Sequence, residues 1–244
     1  MLPWLEEDDL EFPPSAIALS EPNGLLAGGG DLSVPRLLAA YKRGIFPWFS
    51  PGQPILWWAP DPRTVFYPAQ VHCSHSMRKF LGKTAWRLTI DRAFVQVMEA
   101  CASLRPQSSG TWITASMKHA YKNLHLAGYA HSIEVWEGAE LVGGLYGVAL
   151  GKVFFGESMF SRRNNGSKVA VIVLARFLDQ NGFQLFDCQV ASEHLFSLGA
   201  TSVSRTTFEE MLRANLGEAT ITTLQLLWQS AANQEISIDG YIRH

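Results

Sequence analysis

The chain has 244 residues, of which 47% are hydrophobic and 17% charged, and its formal net charge at pH 7 is −2. This composition allows a sizeable core and excludes a globally disordered chain. The near-neutral charge excludes nucleic-acid binding through a field spread over the whole surface, so any contact with RNA must come from a local basic patch.

The cysteines and the N-terminus indicate a cytoplasmic protein. Cys73, Cys101 and Cys188 are odd in number and form no CxxC pair, which disfavours a disulfide scaffold and a structural zinc site. The first residues, MLPWLEEDDLEF, are acidic and lack the basic and apolar regions of a signal peptide. No run of the sequence approaches the ~20 apolar residues of a membrane helix, so we expect no membrane contact.

The first sixty residues are rich in Pro and Gly and predict a small lobe whose loops are set by these residues. One helix is predicted there. Asp31 or Ser33 caps it, and its apolar run RLLAAYKRG ends at Gly44. The Pro-rich stretch APDPR then marks a boundary. We therefore predict a small N-terminal domain over residues 1–62 and a main domain over residues 63–244.

From Thr64 onward, the spacing of apolar residues predicts alternating strands and helices. In chain order they are the strand TVFYPA, the helix SHSMRKFLG, the strand WRLTID, the helices FVQVMEACASL and ASMKHAYKNLHLAG, the strands HSIEVWEG, AELVGGLYGVAL and GKVFFGESMF, the helix SKVAVIVLARFLDQNG capped by Ser167, the strand QLFDCQV, and the helices EHLFSLG and TTFEEMLRANL. This order predicts an α+β or mixed α/β fold around one sheet. The stretch from Glu218 onward has mixed polarity and predicts no element.

The segment GESMFSRRNNGSK lies between a predicted strand and a predicted helix, and it is a candidate anion site. Arg162, Arg163 and Lys168 flank Gly166 near the helix N-terminus, where exposed N–H groups and the helix dipole favour a phosphate. The alternative is an ordinary polar loop with a helix cap. The two His and one Cys of HCSH lack a further ligand at suitable spacing, so no metal site is predicted.

Aromatic residues and cations are interleaved in FPWFSPGQPILWWAPDPR, as in proteins that stack bases and grip phosphates. Its Trp residues lie near Arg43 and Arg63. The alternative is burial in the core, which is usual for Trp. Trp112 lies in the Ser- and Gly-flanked loop around GTWIT and is expected to be exposed.

Strand alternation separates the three polar residues of LFDCQV. It places Asp187 and Gln189 on one face, and Cys188 on the other face with Phe186 and Val190. A thiol on an apolar face is inert, so Cys188 is a poor candidate nucleophile. Asp187 and Gln189 can hydrogen-bond as a unit, either for catalysis or as a structural pair at the end of a sheet.

The chain resembles the bacterial leucyl/phenylalanyl-tRNA–protein transferases. The matching runs, between about residue 21 and about residue 200, are EPNGLLAGGGDLS, YKRGIFPWFSPGQPILWWAPDPR, GTWIT, AHSIEVW, ELVGGLYGVALGKVFFGESMFSR, DCQV and HLFSLGA. Several long runs in fixed order are more specific than any single motif.

The resemblance implies an enzyme that moves Leu or Phe, and Met less well, from aminoacyl-tRNA to the α-amine of a protein that begins with Arg or Lys. The product enters the bacterial N-end rule degradation pathway. The resemblance also implies a GNAT-like main domain beside a small N-terminal domain, and no cofactor. Two alternatives stay open, an acyl-CoA-dependent N-acyltransferase of GNAT type and a non-catalytic tRNA-binding module.

The same resemblance implies roles for individual residues. Asp187 polarises Gln189, whose carbonyl oxygen draws a proton from the incoming α-ammonium. Trp48 and Trp112 clamp the terminal adenosine of the tRNA. The amino-acid pocket falls on Leu145, Phe154 and Phe186, with Glu157 at the acceptor side.

Two of these positions depart from the family pattern. We expect Met where this chain has Leu145 and an aliphatic residue where it has Phe186, so the balance between Leu and Phe as donors stays open. The near-neutral chain is expected to touch tRNA locally, mostly at the acceptor end. Candidate cations for that contact are Arg43, Arg63, Arg78, Lys79, Lys118 and Arg162.

Overall fold

A computed structural model describes residues 1–103, 112–217 and 221–236. The strands of a small sheet are β1 (Trp4–Leu5), β2 (Leu25–Gly29), β3 (Phe46–Pro47) and β4 (Leu56–Trp58). The strands of a larger sheet are β5 (Arg63–Phe66), β6 (Arg87–Ile90), β7 (Ala130–Glu137), β8 (Glu140–Leu150), β9 (Val153–Ser161), β10 (Leu185–Gln189) and β11 (Thr201–Val203). The helices are α1 (Val34–Lys42), α2 (His75–Leu81), α3 (Phe94–Ser103), α4 (Ala115–Leu126), α5 (Gly166–Gln180), α6 (Glu193–Ser197), α7 (Arg205–Asn215) and α8 (Ile221–Ala232).

The predicted mixed α+β architecture is confirmed, but the small sheet, the strand β11 and the helix α8 were not predicted. The larger sheet has the order β11-β5-β10-β9-β8-β7-β6, and its strands β7 to β9 form the predicted antiparallel meander. Helix α5 then crosses over and returns the chain as β10, which pairs parallel with β9. The small sheet, in the order β1-β2-β4-β3, was not predicted, because strands of two to five residues carry too little alternation to be recognised.

The N-terminal residues and the larger sheet share one hydrophobic core. Tyr41 of α1, Trp57 of β4 and Phe155 of β9 belong to the same buried cluster, and the rings of Tyr41 and Phe155 lie 5.1 Å apart. A second buried cluster covers the opposite face of the larger sheet, where α5 packs. The division of the chain at residues 62 and 63 stays a prediction.

Helix caps follow the sequence at α1 and differ from it at α5. Ser33 caps α1 by accepting a hydrogen bond from the backbone N–H of Arg36, while Asp31 accepts one from the N–H of Ser33. At α5 the predicted cap, Ser167, lies inside the helix, and the cap position is Asn165 in a left-handed conformation with φ 76°. Asn tolerates this conformation, so the chain turns there and starts the helix two residues early.

The stretch after Glu218 contains a helix that the sequence pattern did not predict. Leu224 and Trp228 of α8 are buried, although the segment as a whole has mixed polarity. Among the described residues, no helix combines the length and apolar character needed to cross a membrane.

Candidate active site

The site lies where β9 and β10 run side by side. Phe186 lies opposite Phe154, and Asp187 lies opposite Phe155 in this parallel pair. Gly156 follows directly, and a Cβ atom there would lie 2.8 Å from Cε2 of Phe186. A residue without a side chain is therefore required at this point of β9 if the Phe186 ring is to keep its place.

The strand β10 ends in a bulge that positions Gln189. Its pairing with β5 shifts register between Asp187 and Gln189, and Gln189 has φ 63°, in the left-handed region. A bulge redirects the side chain that follows it. Here it turns the Gln189 amide towards Glu157, whose Oε1 accepts a hydrogen bond of 2.9 Å from Gln189 Nε2.

Asp187 is held by a buried arginine. Arg63 donates from Nε and Nη2 to the two carboxylate oxygens of Asp187, at 2.8 and 2.7 Å, and neither side chain is more than 1% exposed. The Arg63 guanidinium also lies over the rings of Phe46 and Phe208, at 4.8 and 4.6 Å. Asp187 additionally accepts the backbone N–H of Gln189 at 2.9 Å. Its link to Gln189 therefore runs through the backbone.

This arrangement changes the role expected of Arg63. The sequence places it among the candidate tRNA contacts, but the structure buries it in the core with its guanidinium bonded to Asp187. A buried arginine in a bidentate ion pair is not available to a phosphate on the surface. We therefore leave Arg63 out of the proposed tRNA contacts.

Glu157 lies in a compact cluster with two tyrosines from helices on one side of the sheet. Tyr41 of α1 and Tyr121 of α4 each place a hydroxyl 2.6 Å from one Glu157 carboxylate oxygen. The two hydroxyl oxygens are themselves 2.6 Å apart. All three side chains are buried, so water does not compete for these contacts.

The three short oxygen–oxygen contacts favour a protonated Glu157. Contacts of 2.6 Å are ordinary O–H···O hydrogen bonds, and each requires one hydrogen between its oxygens. The phenols of Tyr41 and Tyr121 supply two of these hydrogens. The third must come from the carboxyl group, so the closed ring of contacts is satisfied when Glu157 is protonated.

The electrostatic surroundings agree with a protonated Glu157. Burial raises the pKa of its carboxyl from the usual 4.5 to about 7, with a further increase from the Asp187 carboxylate; the tyrosine hydrogen bonds and Arg63 act in the opposite direction. Burial beside this carboxyl also raises the pKa of Tyr41 and of Tyr121 well above 10. Glu157 is therefore a group that can exchange a proton near neutral pH, whereas the tyrosines stay neutral.

An apolar cavity of about 90 Å³ opens beside this cluster. It is lined by Leu145, Tyr146, Gly156, Glu157, Ser158, Met159, Val171, Phe186, Cys188 and Leu195. An apolar cavity of about 150 Å³ can hold a benzene molecule, so this smaller one fits a single aliphatic side chain as it stands and a phenyl ring only after its walls move. Two of the three predicted pocket residues, Leu145 and Phe186, are in this lining. The third, Phe154, packs edge-on against Phe186 at 5.4 Å, behind the wall.

The two tryptophans of the predicted adenosine clamp differ in their exposure to solvent. Trp48 is 44% exposed and leans on Trp58, with the ring centres 5.4 Å apart. The Trp58 indole N–H donates to the Trp48 carbonyl, which holds this pair together. Trp112 is half-buried against the core next to Ile113, so it is less exposed than the sequence predicts.

The remaining predicted cations lie at or near the surface on several elements. Arg43 donates to the carbonyls of Phe12 and Pro13, and Arg162 to that of Leu141. Those on helices are Arg78 and Lys79 on α2 and Lys118 on α4.

In the loop before α5, the candidate anion site, one of the three cationic side chains is already paired with carboxylates. Arg163 bonds the carboxylates of Glu137 and Glu140, at 3.3 and 3.0 Å. These two partners lie at the turn between β7 and β8. The observed pairing therefore favours the ordinary polar loop over a phosphate site.

Two residues of the cluster, Tyr41 and Tyr121, were not identified from the sequence. Both lie on the buried faces of amphipathic helices, where a tyrosine looks like any other core residue. Their polar partner, Glu157, is 116 residues away from Tyr41 and 36 from Tyr121. Only the packing of α1 and α4 on the sheet brings them together.

The chain is similar to known proteins over most of its length. A family model described as leucyl/phenylalanyl-tRNA protein transferase matches residues 65–213, and one described as the N-terminal domain of that transferase matches residues 30–61. The curated leucyl/phenylalanyl-tRNA–protein transferase of Cellvibrio japonicus is 59% identical over 212 residues, covering 87% of this chain and 90% of that protein. The one of Pseudomonas fluorescens (strain SBW25) is 56% identical over 218 residues, covering 89% and 96%.

Solved structures give a much weaker likeness. The structure of L-PGS from Bacillus licheniformis has a TM-score of 0.37 and 10% sequence identity, with 86% of this chain and 74% of that chain covered. This similarity is too distant to assign a fold, and the GNAT-like part of the predicted fold class is not confirmed by it.

Proposed function

The chain belongs to the leucyl/phenylalanyl-tRNA protein transferase family, and we propose that it transfers Leu or Phe, and Met less well, from aminoacyl-tRNA to the N-terminal α-amine of proteins beginning with Arg or Lys. The observation that carries this proposal is the apolar, side-chain-sized cavity directly beside the buried cluster of Glu157, Gln189 and Asp187. The cavity suits the donor side chain. The polar cluster suits an amine that must be oriented and deprotonated.

The transfer is an aminolysis of an activated ester. The α-amine nitrogen attacks the ester carbonyl carbon, an amide bond forms, and the bond between that carbon and the ribose oxygen breaks. The amine loses a proton and the departing ribose oxygen gains one. Because the ester supplies the driving force, the residues need only position the amine, move protons and stabilise the developing charge.

Gln189 is proposed to position the attacking amine. Its amide nitrogen faces Glu157, so the carbonyl oxygen of the same amide is the atom that remains to accept a hydrogen bond from the ammonium. An amide is a weak base, and positioning with partial attraction of the proton is the role that its chemistry allows. Asp187, fixed by Arg63, holds the Gln189 backbone and so sets the direction of that amide.

Glu157 is proposed at the acceptor side as the group that exchanges a proton. With a pKa of about 7 it can give or take a proton near neutrality. In its ionised form it also supplies a negative charge close to an incoming ammonium group.

The cavity is proposed to receive the donor side chain through Leu145 and Phe186, with Phe154 as support. Its wall is mostly apolar, and an apolar pocket separates similar side chains by only ~1–3 kcal/mol. A broad preference that includes Leu, Phe and Met follows from this limit. The relative rates are expected to differ by tens rather than by many thousands.

Several further features are proposed on the family likeness. They are a small domain over residues 1–62, a GNAT-like aminoacyl-transferase domain over residues 63–244, a cytoplasmic location, and entry of the products into the N-end rule degradation pathway. No bound cofactor is required by the chemistry above, because the donor arrives already activated.

The proposal is tested by the transfer of labelled leucine from Leu-tRNA to an Arg-initiated peptide, without ATP. Labelled peptide should form, and a matched peptide with an acetylated N-terminus should stay unlabelled. Replacing Leu-tRNA by acetyl-CoA should give no product. Absence of transfer by folded protein, or equal binding of charged and uncharged tRNA without transfer, would contradict the proposal.

The proposed adenosine clamp, Trp48 and Trp112, gives a prediction about donor binding. Trp48→Ala should weaken Leu-tRNA binding by about 1–3 kcal/mol, because one base loses an aromatic stacking partner, while kcat changes little. Trp48→Phe is the matched control, since it keeps a ring. Trp112→Ala should also weaken donor binding. Filter binding with Leu-tRNA measures these losses, and a fall in kcat without a change in binding would contradict the clamp.

Cys188 is predicted not to take part in the chemistry. It lines the cavity, and burial together with the Asp187 carboxylate raises the pKa of its thiol well above 9. Cys188→Ala should therefore lose less than about tenfold in leucine transfer, because the loss of a covalent nucleophile would cost far more. A near-complete loss of transfer in a folded Cys188→Ala protein would instead indicate a thioester intermediate.

A further inference from the structure

Helix α8 follows the part of the chain that the family model matches, which ends at residue 213. It is nevertheless fixed to the main domain. Gln225 Nε2 donates to the Ala127 carbonyl at 3.0 Å, and Arg92 Nε donates to the Ala232 carbonyl at 3.1 Å. The backbone N–H of Ile236 then donates to Leu88 at the edge strand β6. Helix α8 and Ile236 are therefore held in a defined position on the main domain.

Trp228 is the residue by which α8 enters the core. Its side chain is 1% exposed, and its ring stacks on His131 of β7 with the ring centres 4.0 Å apart and the planes 8° apart. It also meets Phe177 of α5 at 4.8 Å and Phe154 of β9 at 6.0 Å. Trp228 thus fills the space between the sheet, α5 and the tail.

A continuous line of aromatic rings joins Trp228 to the cavity. Phe154 lies between Trp228 and Phe186, and Phe186 is part of the cavity wall. Close contacts restrict both phenylalanines on other sides. A Cβ atom at Gly147 would lie 2.5 Å from Phe154 Cε1, and one at Gly156 would lie 2.8 Å from Phe186 Cε2. The Trp228 ring therefore blocks the direction in which the Phe154 ring could move away from the cavity.

We propose that Trp228 of the C-terminal helix sets the depth of the donor side-chain cavity, acting through Phe154 and Phe186, and so tunes the choice between Leu and Phe. This inference rests on the proposed function, and makes Trp228 a positioning residue that does not itself touch the substrate. Interiors are close-packed, so space opened behind Phe154 is passed on to its neighbours. A deeper cavity favours the larger donor side chain.

The test compares Leu-tRNA and Phe-tRNA as donors for the full-length Trp228→Ala protein. The ratio of kcat/KM for Phe to that for Leu should rise roughly 10-fold, the scale expected when an apolar pocket changes by a few carbon atoms. A general loss of stability lowers both values together and leaves their ratio unchanged. If Trp228→Ala does not fold, Trp228→Phe should give a smaller shift in the same direction.

Leu226→Ala is the matched control, because Leu226 lies on the same helix and is 61% exposed. Its donor ratio should equal that of the unsubstituted chain. A ratio that stays constant in the folded Trp228 variants, or that shifts equally in the control, would overturn the inference. If the unsubstituted chain transfers neither amino acid, the proposed function fails instead, so the two failures are distinguishable.

Discussion

Replacing Asp187 by Ala should lower the free energy of unfolding by about 3–5 kcal/mol, because it leaves the buried Arg63 guanidinium without its counter-charge. Both side chains are almost completely buried, so neither water nor salt can replace the lost partner. Leucine transfer should also fall, since the Gln189 N–H loses its acceptor. Urea denaturation at fixed pH measures the first effect, and the transfer assay measures the second.

A double variant distinguishes the loss of stability from the loss of leucine transfer. Replacing Arg63 by Met and Asp187 by Leu together removes both charges, and such a replacement of a buried ion pair is often neutral or stabilising. The double variant should thus regain most of the stability lost in Asp187→Ala and still transfer leucine poorly. Recovery of full transfer along with stability would mean that the ion pair is only structural and does not position Gln189.

A surface ion pair provides the matched control for this experiment. Glu235 pairs with Arg87 at 3.2 Å, with both side chains substantially exposed. Glu235→Ala should change the free energy of unfolding by less than about 1 kcal/mol, because exposed pairs contribute little. The contrast with Asp187→Ala then isolates the cost of leaving a charge buried.

Local patterns predicted most of the fold. The long alternating runs of β7 to β9 and the periodic helices α4 and α5 each show their pattern within 8 to 15 consecutive residues, so they are visible in the sequence. The short strands of the small sheet and helix α8 were missed, because they depend on tertiary packing more than on their own pattern. Trp228, in a tail of mixed polarity, is buried by contacts with β7, β9 and α5.

Site residues could be predicted where they lie within a recognisable strand pattern. They could not be predicted where their surroundings depend on a residue that is distant in the sequence. Leu145 and Phe186 come from strands and both line the cavity, and their role in binding a donor stays a proposal. Arg63 looked like a surface cation because nothing near it in the sequence shows that Asp187, 124 residues away, will enclose it. Long-range ion pairs of this kind leave no local signature.

Glu157→Gln should keep the hydrogen bonds among Glu157, Tyr41 and Tyr121 and remove the ability of this side chain to exchange a proton. A glutamine side chain can donate from its amide nitrogen and accept at its carbonyl oxygen, as a protonated carboxyl does, so the contacts with Tyr41 and Tyr121 should be kept. It cannot exchange a proton near neutral pH. Leucine transfer should therefore fall by roughly 10²-fold or more while the protein stays folded, the scale usual for loss of general acid–base catalysis.

The stability of the same variant reports the protonation state directly. Below pH 4.5 Glu157 is protonated in both the folded and unfolded chains. Between pH 4.5 and about 7 the folded chain keeps the proton that the unfolded chain has lost, so the stability of the unsubstituted protein falls as pH rises. Above about 7 both forms are ionised, and the difference stops changing.

Relative to the unsubstituted protein, Glu157→Gln should therefore gain roughly 3 kcal/mol of unfolding free energy between pH 4.5 and pH 8, which is the energy equivalent of a pKa shift from 4.5 to about 7. Denaturant titrations of both proteins at several pH values measure this gain, and other titrating groups cancel in the comparison. A difference that stays constant with pH would mean that the pKa of Glu157 is the same in the folded and unfolded chains, so that folded Glu157 is ionised near neutral pH. The 2.6 Å contact between the Tyr41 and Tyr121 hydroxyls would then need a hydrogen from another source.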